Sequence, residues 1–116
     1  MSLSIKRVYD DPAPEDGRRI LVDRLWPRGV SKERAALDRW MKEVAPSNEL
    51  RKEVHAGKVS WDEFRARYGA ELEAPEAQEA LDQLRRWASE GTVTLLVSVR
   101  DREQNHAQVL REVLED

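Results

Sequence analysis

Cysteine is absent from this chain of 116 residues, and histidine occurs only at His55 and His106. Without a thiol there is neither a disulfide frame nor a thiolate nucleophile, and a zinc site would rest on histidine and carboxylates alone. The wide separation of the two histidines disfavours even that, so no metal and no cofactor is expected. Also missing is any run of about 18 apolar residues, and the first residues form no apolar h-region, so neither membrane insertion nor export is expected. Cytoplasm is the default setting. Nor is there a basic excess: 20 Lys and Arg stand against 23 Asp and Glu, a net charge of −3. That balance disfavours nucleic acid as a partner, because neutralising a polyphosphate backbone needs a surplus of cations. No internal repeat, low-complexity tract or linker divides the chain, and its length suits one domain, residues 1–116.

What is present is a globular pattern. Apolar residues make up 40% of the chain and fall in periodic blocks, which sets disorder aside. Fifteen of the 20 cations are Arg, the side chain suited to bidentate contact with carboxylate or phosphate, although a GC-rich genome would produce the same bias.

Residues 5–9 read as a short strand ended by the turn Asp10-Asp11-Pro12-Ala13-Pro14. Residues 19–25 follow as a second strand whose run Ile20-Leu21-Val22 suits burial on both faces; the short connection predicts an antiparallel pair. Ser31 caps a brief helix that breaks near Leu37-Asp38. Leu37, Trp40, Met41 and Val44 then keep a helical spacing, or form an extended linker that buries Trp40. Pro46 stops this segment, and Ser47 caps a turn carrying Leu50 and Val54 on one side. Ser60 and Glu63 have the spacing of a capping box before a helix over residues 61–73, with Trp61, Phe64, Tyr68 and Leu72 on one face. Pro75 starts the next helix, striped by Ala77, Ala80, Leu81, Leu84, Trp87 and Ala88 and closed by Gly91. Residues 92–99 are the clearest strand. A last helix from about Arg102 to Glu115 buries Val109, Leu110, Val113 and Leu114. The order predicts an α/β fold: a small single-layer sheet of three or four strands, at least two of them parallel, covered by helices through a Rossmann-like crossover.

If the second and last strands are parallel neighbours, the loops after them share the crevice at the strands' C-terminal ends. One loop supplies Asp23, Arg24, Trp26, Arg28 and Gly29, the other Arg100, Asp101, Asn105 and His106. Arg28-Gly29-Val30-Ser31 resembles a minimal phosphate nest, a guanidinium and a flexible turn before a helix start, though an ordinary turn and cap would look the same. Asp23 and Arg24 end an apolar strand, where an unpaired ion is costly. Each needs a partner, and a structural ion pair, Asp23 with Arg100 or Arg24 with Asp101, stands beside a catalytic role. His106 falls on the apolar stripe of the last helix and is either a packed core residue or the better of the two proton carriers. Trp26 faces a ligand or packs, and an aromatic before Pro27 permits a cis peptide. Trp40, Trp61 and Trp87 read as core, and His55 as surface.

The run Val22-Asp23-Arg24-Leu25-Trp26-Pro27-Arg28-Gly29, with Ser31-Lys32, Ala45-Pro46-Ser47, Glu49-Leu50-Arg51, the Phe64, Tyr68 and Leu72 helix, and Arg100-Asp101 with Asn105-His106-Ala107, resembles the YeaO-like branch of the domain-of-unknown-function 488 family. The resemblance spans residues 5–114. It implies a compact bacterial or archaeal cytoplasmic α/β protein without an established activity. Related branches carry a Cys-His pair near the place of Asn105-His106; with Asn105 here, thiol chemistry does not transfer.

Two functional readings stay open, and whether the protein is an enzyme stays open with them. The first is a metal-independent hydrolase or transferase acting on an anionic small molecule, a nucleotide or phosphosugar. In it Arg24 and Arg28 bind the anion, Asp23 or Asp101 acts as base or nucleophile, His106 moves a proton and Trp26 covers the ligand, with Gly29, Ser31, Arg100 and Asn105 completing the crevice. The second is a non-catalytic nucleotide-binding or protein-interaction module using the same residues.

Overall fold

The computed structural model describes residues 2–101 and 103–116. Four strands, β1 (Ser2–Arg7), β2 (Arg18–Leu21), β3 (Arg39–Trp40) and β4 (Thr92–Val97), form one sheet in the order β1-β4-β2-β3, with every pairing parallel. The helices are α1 (Lys32–Ala35), α2 (Asn48–His55), α3 (Trp61–Glu71), α4 (Pro75–Glu90) and α5 (His106–Glu115), with 3-10 turns at Pro14–Asp16 and Lys42–Val44. An α/β fold is therefore correct, and β2 and β4 are the parallel neighbours that the crevice requires. Among the described residues no helix is long and apolar enough to cross a membrane.

The expected antiparallel pair of the first two strands does not form, because β4 lies between them. Residues 93–97 are all buried, and a strand hidden on both faces belongs inside a sheet. β1 has no fully buried residue and takes the edge. Residues 8–17 carry the chain back to the start of the sheet, closing at Gly17 with φ 63°, where a Cβ would lie 2.2 Å from the Thr92 carbonyl oxygen. Only glycine lets the turn come that close.

The sheet separates two apolar clusters. Ile20, Val93, Leu95 and Val97 face the larger one, built with residues of α2 to α5, in which Leu50, Tyr68, Leu81, Leu84 and Leu110 are fully buried. Each such side chain contributes about 1.5–3 kcal/mol through burial. Leu21 and Leu96 face a thin cover of Val8, Val30 and Ala35, edged by Trp26, Leu37 and Trp40. That cover decides between the two readings of residues 37–44: residues 37–41 are extended, with Trp40 half-buried against the cover, and helical geometry is confined to the 3-10 turn at Lys42–Val44. Ala36 ends α1 in the left-handed region at φ 49°, and Asp38 and Met41 then donate backbone N–H groups to Arg19 and Leu21. The open edge of β2 thus recruits the two residues of β3. Asn105 caps α5 at His106; the expected helix start at Arg102 lies outside the described residues.

Under the thin cover, near the N-terminal end of β2, sits a buried ion cluster. Asp16 pairs with Arg19 and, at 2.9 Å, with Lys6, and it accepts the Ala13 N–H at 2.9 Å. The remaining Arg19 donors reach the carbonyls of Ala35 and Ala36. Burial pushes the Asp16 carboxyl up, but hydrogen bonds from Ala13, Lys6 and Arg19 outweigh it and hold the group below its ordinary value.

Candidate functional site

Leu21 and Leu96 are register partners near the ends of β2 and β4, so the loops after both strands leave the sheet together. A cleft of about 840 Å³ opens there, walled on the far side by residues of α2 and α3. Asp23, at its base, is 7% exposed. Its Oδ2 accepts the Ser98 N–H at 2.9 Å, and its backbone carbonyl accepts the Trp40 indole N–H at 2.7 Å. Its Oδ1 lies 3.0 Å from His106 Nε2. That nitrogen is also 3.1 Å from the Val22 carbonyl, and two acceptors beside it place the ring proton on Nε2. Oδ1 is in contact with the ring yet has no hydrogen bond of its own. Asp23 does have a structural partner, but it is His106, not Arg100.

Arg24 does not pair with Asp101. Its guanidinium donates to the carbonyls of Pro46 at 3.1 Å and Ala45 at 2.9 Å. The same segment is tied by the Tyr68 hydroxyl, which donates to the Val44 carbonyl. Glu71 accepts the N–H and hydroxyl of Ser47 at 2.8 and 2.6 Å, while Ser47 Oγ caps α2. Burial first, then the nearby charges of Glu71 and Asp23, pushes the Tyr68 phenol well above its ordinary value, so it remains a donor. Residues 44–47 are therefore pinned link by link, and they fix where α2 begins.

That placement brings in a residue the sequence reading left out of the site. Arg51 of α2 lines the cleft half-buried, its Nε buried without a hydrogen bond. His55, one turn on, lines it too, as do Trp61 and Phe64, whose rings stack at 5.4 Å. The signal was available in the spacing: Arg51 and His55 share a helix face behind the Ala45-Pro46-Ser47 stop. Arg28 and Arg100 also line the cleft, and their exposed guanidinium groups have no partner among the described residues. Trp26 lines it through a trans peptide to Pro27, its indole N–H on the Val30 carbonyl at 2.7 Å and its ring edge-on to Trp40.

Three expected site residues lie outside. Asp101 is exposed, and its Oδ1 accepts the N–H groups of Gln104 and Glu103, which lower its carboxyl below the ordinary value in that order of effect. Ser31 Oγ accepts the Arg34 N–H as the cap of α1, and Gly29 turns the chain at φ 73°. The phosphate nest at residues 28–31 is not assembled, since the hydroxyl is engaged and α1 is a single turn. Of that stretch only Arg28 reaches the cleft.

Residues 2–116 match a family model described as the inactive DUF488-N3 subclade. The chain belongs to the DUF488 family. It is 49% identical over 114 residues to the uncharacterized protein YeaO of Escherichia coli, covering 98% of this chain and 97% of that one. It is 41% identical over 110 residues to the uncharacterized proteins Rv3073c of Mycobacterium tuberculosis and Mb3100c of Mycobacterium bovis, covering 95% of this chain and 91% of each. No solved structure matches. The YeaO-like resemblance of the sequence is thus correct.

In this DUF488 chain Asn105 is buried and engaged at both ends of its amide. Oδ1 accepts the Gln108 N–H at 3.2 Å and Nδ2 donates to the Asp101 carbonyl at 2.9 Å. It works as the cap that sets His106 at the first position of α5. Of the hydroxyls on the cleft, Tyr9 donates to the Arg28 carbonyl and Ser60 caps α3; Ser98 is the third. The reciprocal half of the Ser60 capping box is missing, since Glu63 lies 3.7 Å from Arg67 instead. Among the described residues no three His, Asp or Glu side chains gather as a metal site. The lining carries Arg24, Arg28, Arg51 and Arg100 against the single carboxylate of Asp23, a local excess of positive charge in a chain of net charge −3.

Proposed function

We propose that this protein binds an anionic group in the cleft and does not transform it. The observation that carries the reading is the charge of the lining: four arginines line one concave, largely apolar cleft, and two of them, Arg28 and Arg100, have no protein partner among the described residues. Arg presents a planar fork of donors matched to phosphate or carboxylate, and a cleft of this size suits a small ligand or one or two side chains of a larger one. The non-catalytic part draws on Asn105, a helix cap where related branches carry a thiol, and on the family description as an inactive subclade. Thermal unfolding with inorganic phosphate, AMP and glucose 6-phosphate tests it. A ligand at 100 times its Kd adds about 2.7 kcal/mol, and Arg51→Ala is expected to remove that gain. No shift with any of the three would overturn the reading.

A second reading, a metal-independent hydrolase or transferase, has one observation in its favour. His106 is held in a single tautomer by Val22 and Asp23, the arrangement that orients a general base. Product detection by phosphorus NMR separates the two. Turnover of AMP or glucose 6-phosphate that disappears in His106→Ala would replace binding with catalysis.

A further inference from the structure

Among the described residues three large apolar side chains are exposed, Tyr9 at 36%, Leu25 at 54% and Val54 at 41%. They come from three separate segments, the turn after β1, the loop after β2 and α2, yet all three border the cleft. Their positions are held. The Tyr9 hydroxyl is bonded to the Arg28 carbonyl, and the Arg7 guanidinium lies 5.0 Å over its ring. Leu25 sits between Arg24 and Trp26, whose side chains are both tied to backbone carbonyls, which anchors the backbone on either side of it. Val54 follows Arg51 by one turn of the same helix.

A free small anion would meet the guanidinium groups and leave these three side chains in water. Aromatic, aliphatic and Arg side chains around a central depression have the composition of a protein-recognition surface, in which apolar anchors are ringed by polar contacts. Resting on the anion-binding reading above, we propose that the anionic group is carried by an acidic segment of another protein. The segment's carboxylates meet Arg28, Arg51 and Arg100, and at least one large apolar side chain seats against Leu25 and Val54. Charge complementarity selects this occupant over a second copy of the chain. An isologous dimer across this face would set the same arginines against one another, at a cost of like-charge contact.

Selection of random peptides of about a dozen residues on the immobilised full chain, followed by titration of the enriched synthetic peptides, tests the inference. Enriched peptides are expected to combine Asp or Glu with Leu, Phe or Trp. Leu25→Ser and Val54→Ser, which remove the apolar surface without adding charge beside the arginines, are expected to weaken them by about tenfold or more while leaving the phosphate-induced thermal shift intact. Arg28→Glu weakens both. No enrichment, enrichment of peptides without acids, or a dimer in light scattering that Leu25→Ser dissolves would overturn the inference. A phosphate shift that persists in those cases leaves the anion-binding cleft standing; loss of both removes the two together.

Discussion

The two ends of β2 hold buried carboxylates in opposite conditions. Before its first residue, Asp16 is enclosed by Lys6, Arg19 and the Ala13 N–H, and Arg19 spends its remaining donors on carbonyls. Beyond its last residue, Asp23 keeps one oxygen without a hydrogen bond, and of the cleft arginines Arg24 is tied to backbone carbonyls, Arg51 touches only Asn48 at 3.5 Å, and Arg28 and Arg100 have no partner among the described residues. Burial is similar, at 4% and 7% exposure. What separates them is saturation: the first cluster has used its hydrogen-bonding capacity internally, whereas the second has capacity to spare at the open ends of parallel strands, where α/β folds place ligands.

The largest test of that contrast is Asp16→Ala, which leaves the Arg19 guanidinium buried without its counter-ion. A loss of about 3–5 kcal/mol in urea denaturation is expected; a loss under about 1 kcal/mol would make the cluster no different from a surface pair. Next comes Tyr68→Phe, which strips the donor from the buried Val44 carbonyl and is expected to cost about 1–3 kcal/mol. It should also weaken phosphate binding, because residues 44–47 set the position of Arg51. Unchanged stability would show that this pinning is dispensable.

A smaller effect is visible in pH. The folded Asp16 carboxyl titrates below its unfolded value of about 3.9, so its contribution is complete above that value and is lost as pH falls through the folded one. The stability gap between wild type and Asp16→Asn is expected to narrow on acidification below about pH 4. A gap that widens there would reverse the assignment. Smallest for stability is Arg28→Ala, expected to stay within about 0.5 kcal/mol of wild type while reducing the phosphate-induced shift. A stability loss approaching that of Asp16→Ala would erase the distinction between the two regions.

Much of this was legible in the residues. The continuous β-forming run of β4 and the amphipathic stripes of α4 and α5 are strong signals, and with them came the parallel pairing of β2 with β4 that joins Asp23 to His106. The pairing of β1 was misread because a short connection looks like a hairpin, and nothing local reveals that a strand from the far end of the chain will enter between. β3 is two residues long, too short to show any period, and Leu37, Trp40, Met41 and Val44 mimic a helix by chance spacing. Within the site, Asp101 and Asp23 are the same residue type in the same class of loop. Only the fold tells a turn-capping carboxylate from one at the base of a cleft. Arg51 was passed over because an arginine on a short amphipathic helix ordinarily faces solvent, and its position depends on contacts from Arg24, Tyr68 and Glu71 that sequence spacing does not announce.

The central place of β4 also dictates a timetable. Ser2 meets its partner Thr92 across 90 positions of sequence, and β2 too finds β4 only after the long helical excursion is complete. On a ribosome adding about 5–20 residues per second, β1 and β2 wait for seconds without their shared neighbour. Such late, non-local closure predicts slow folding for a chain of this size. It also means that the sheet and the cleft arise in a single event: no truncation ahead of residue 92 can retain either one, and the binding surface is born whole or not at all.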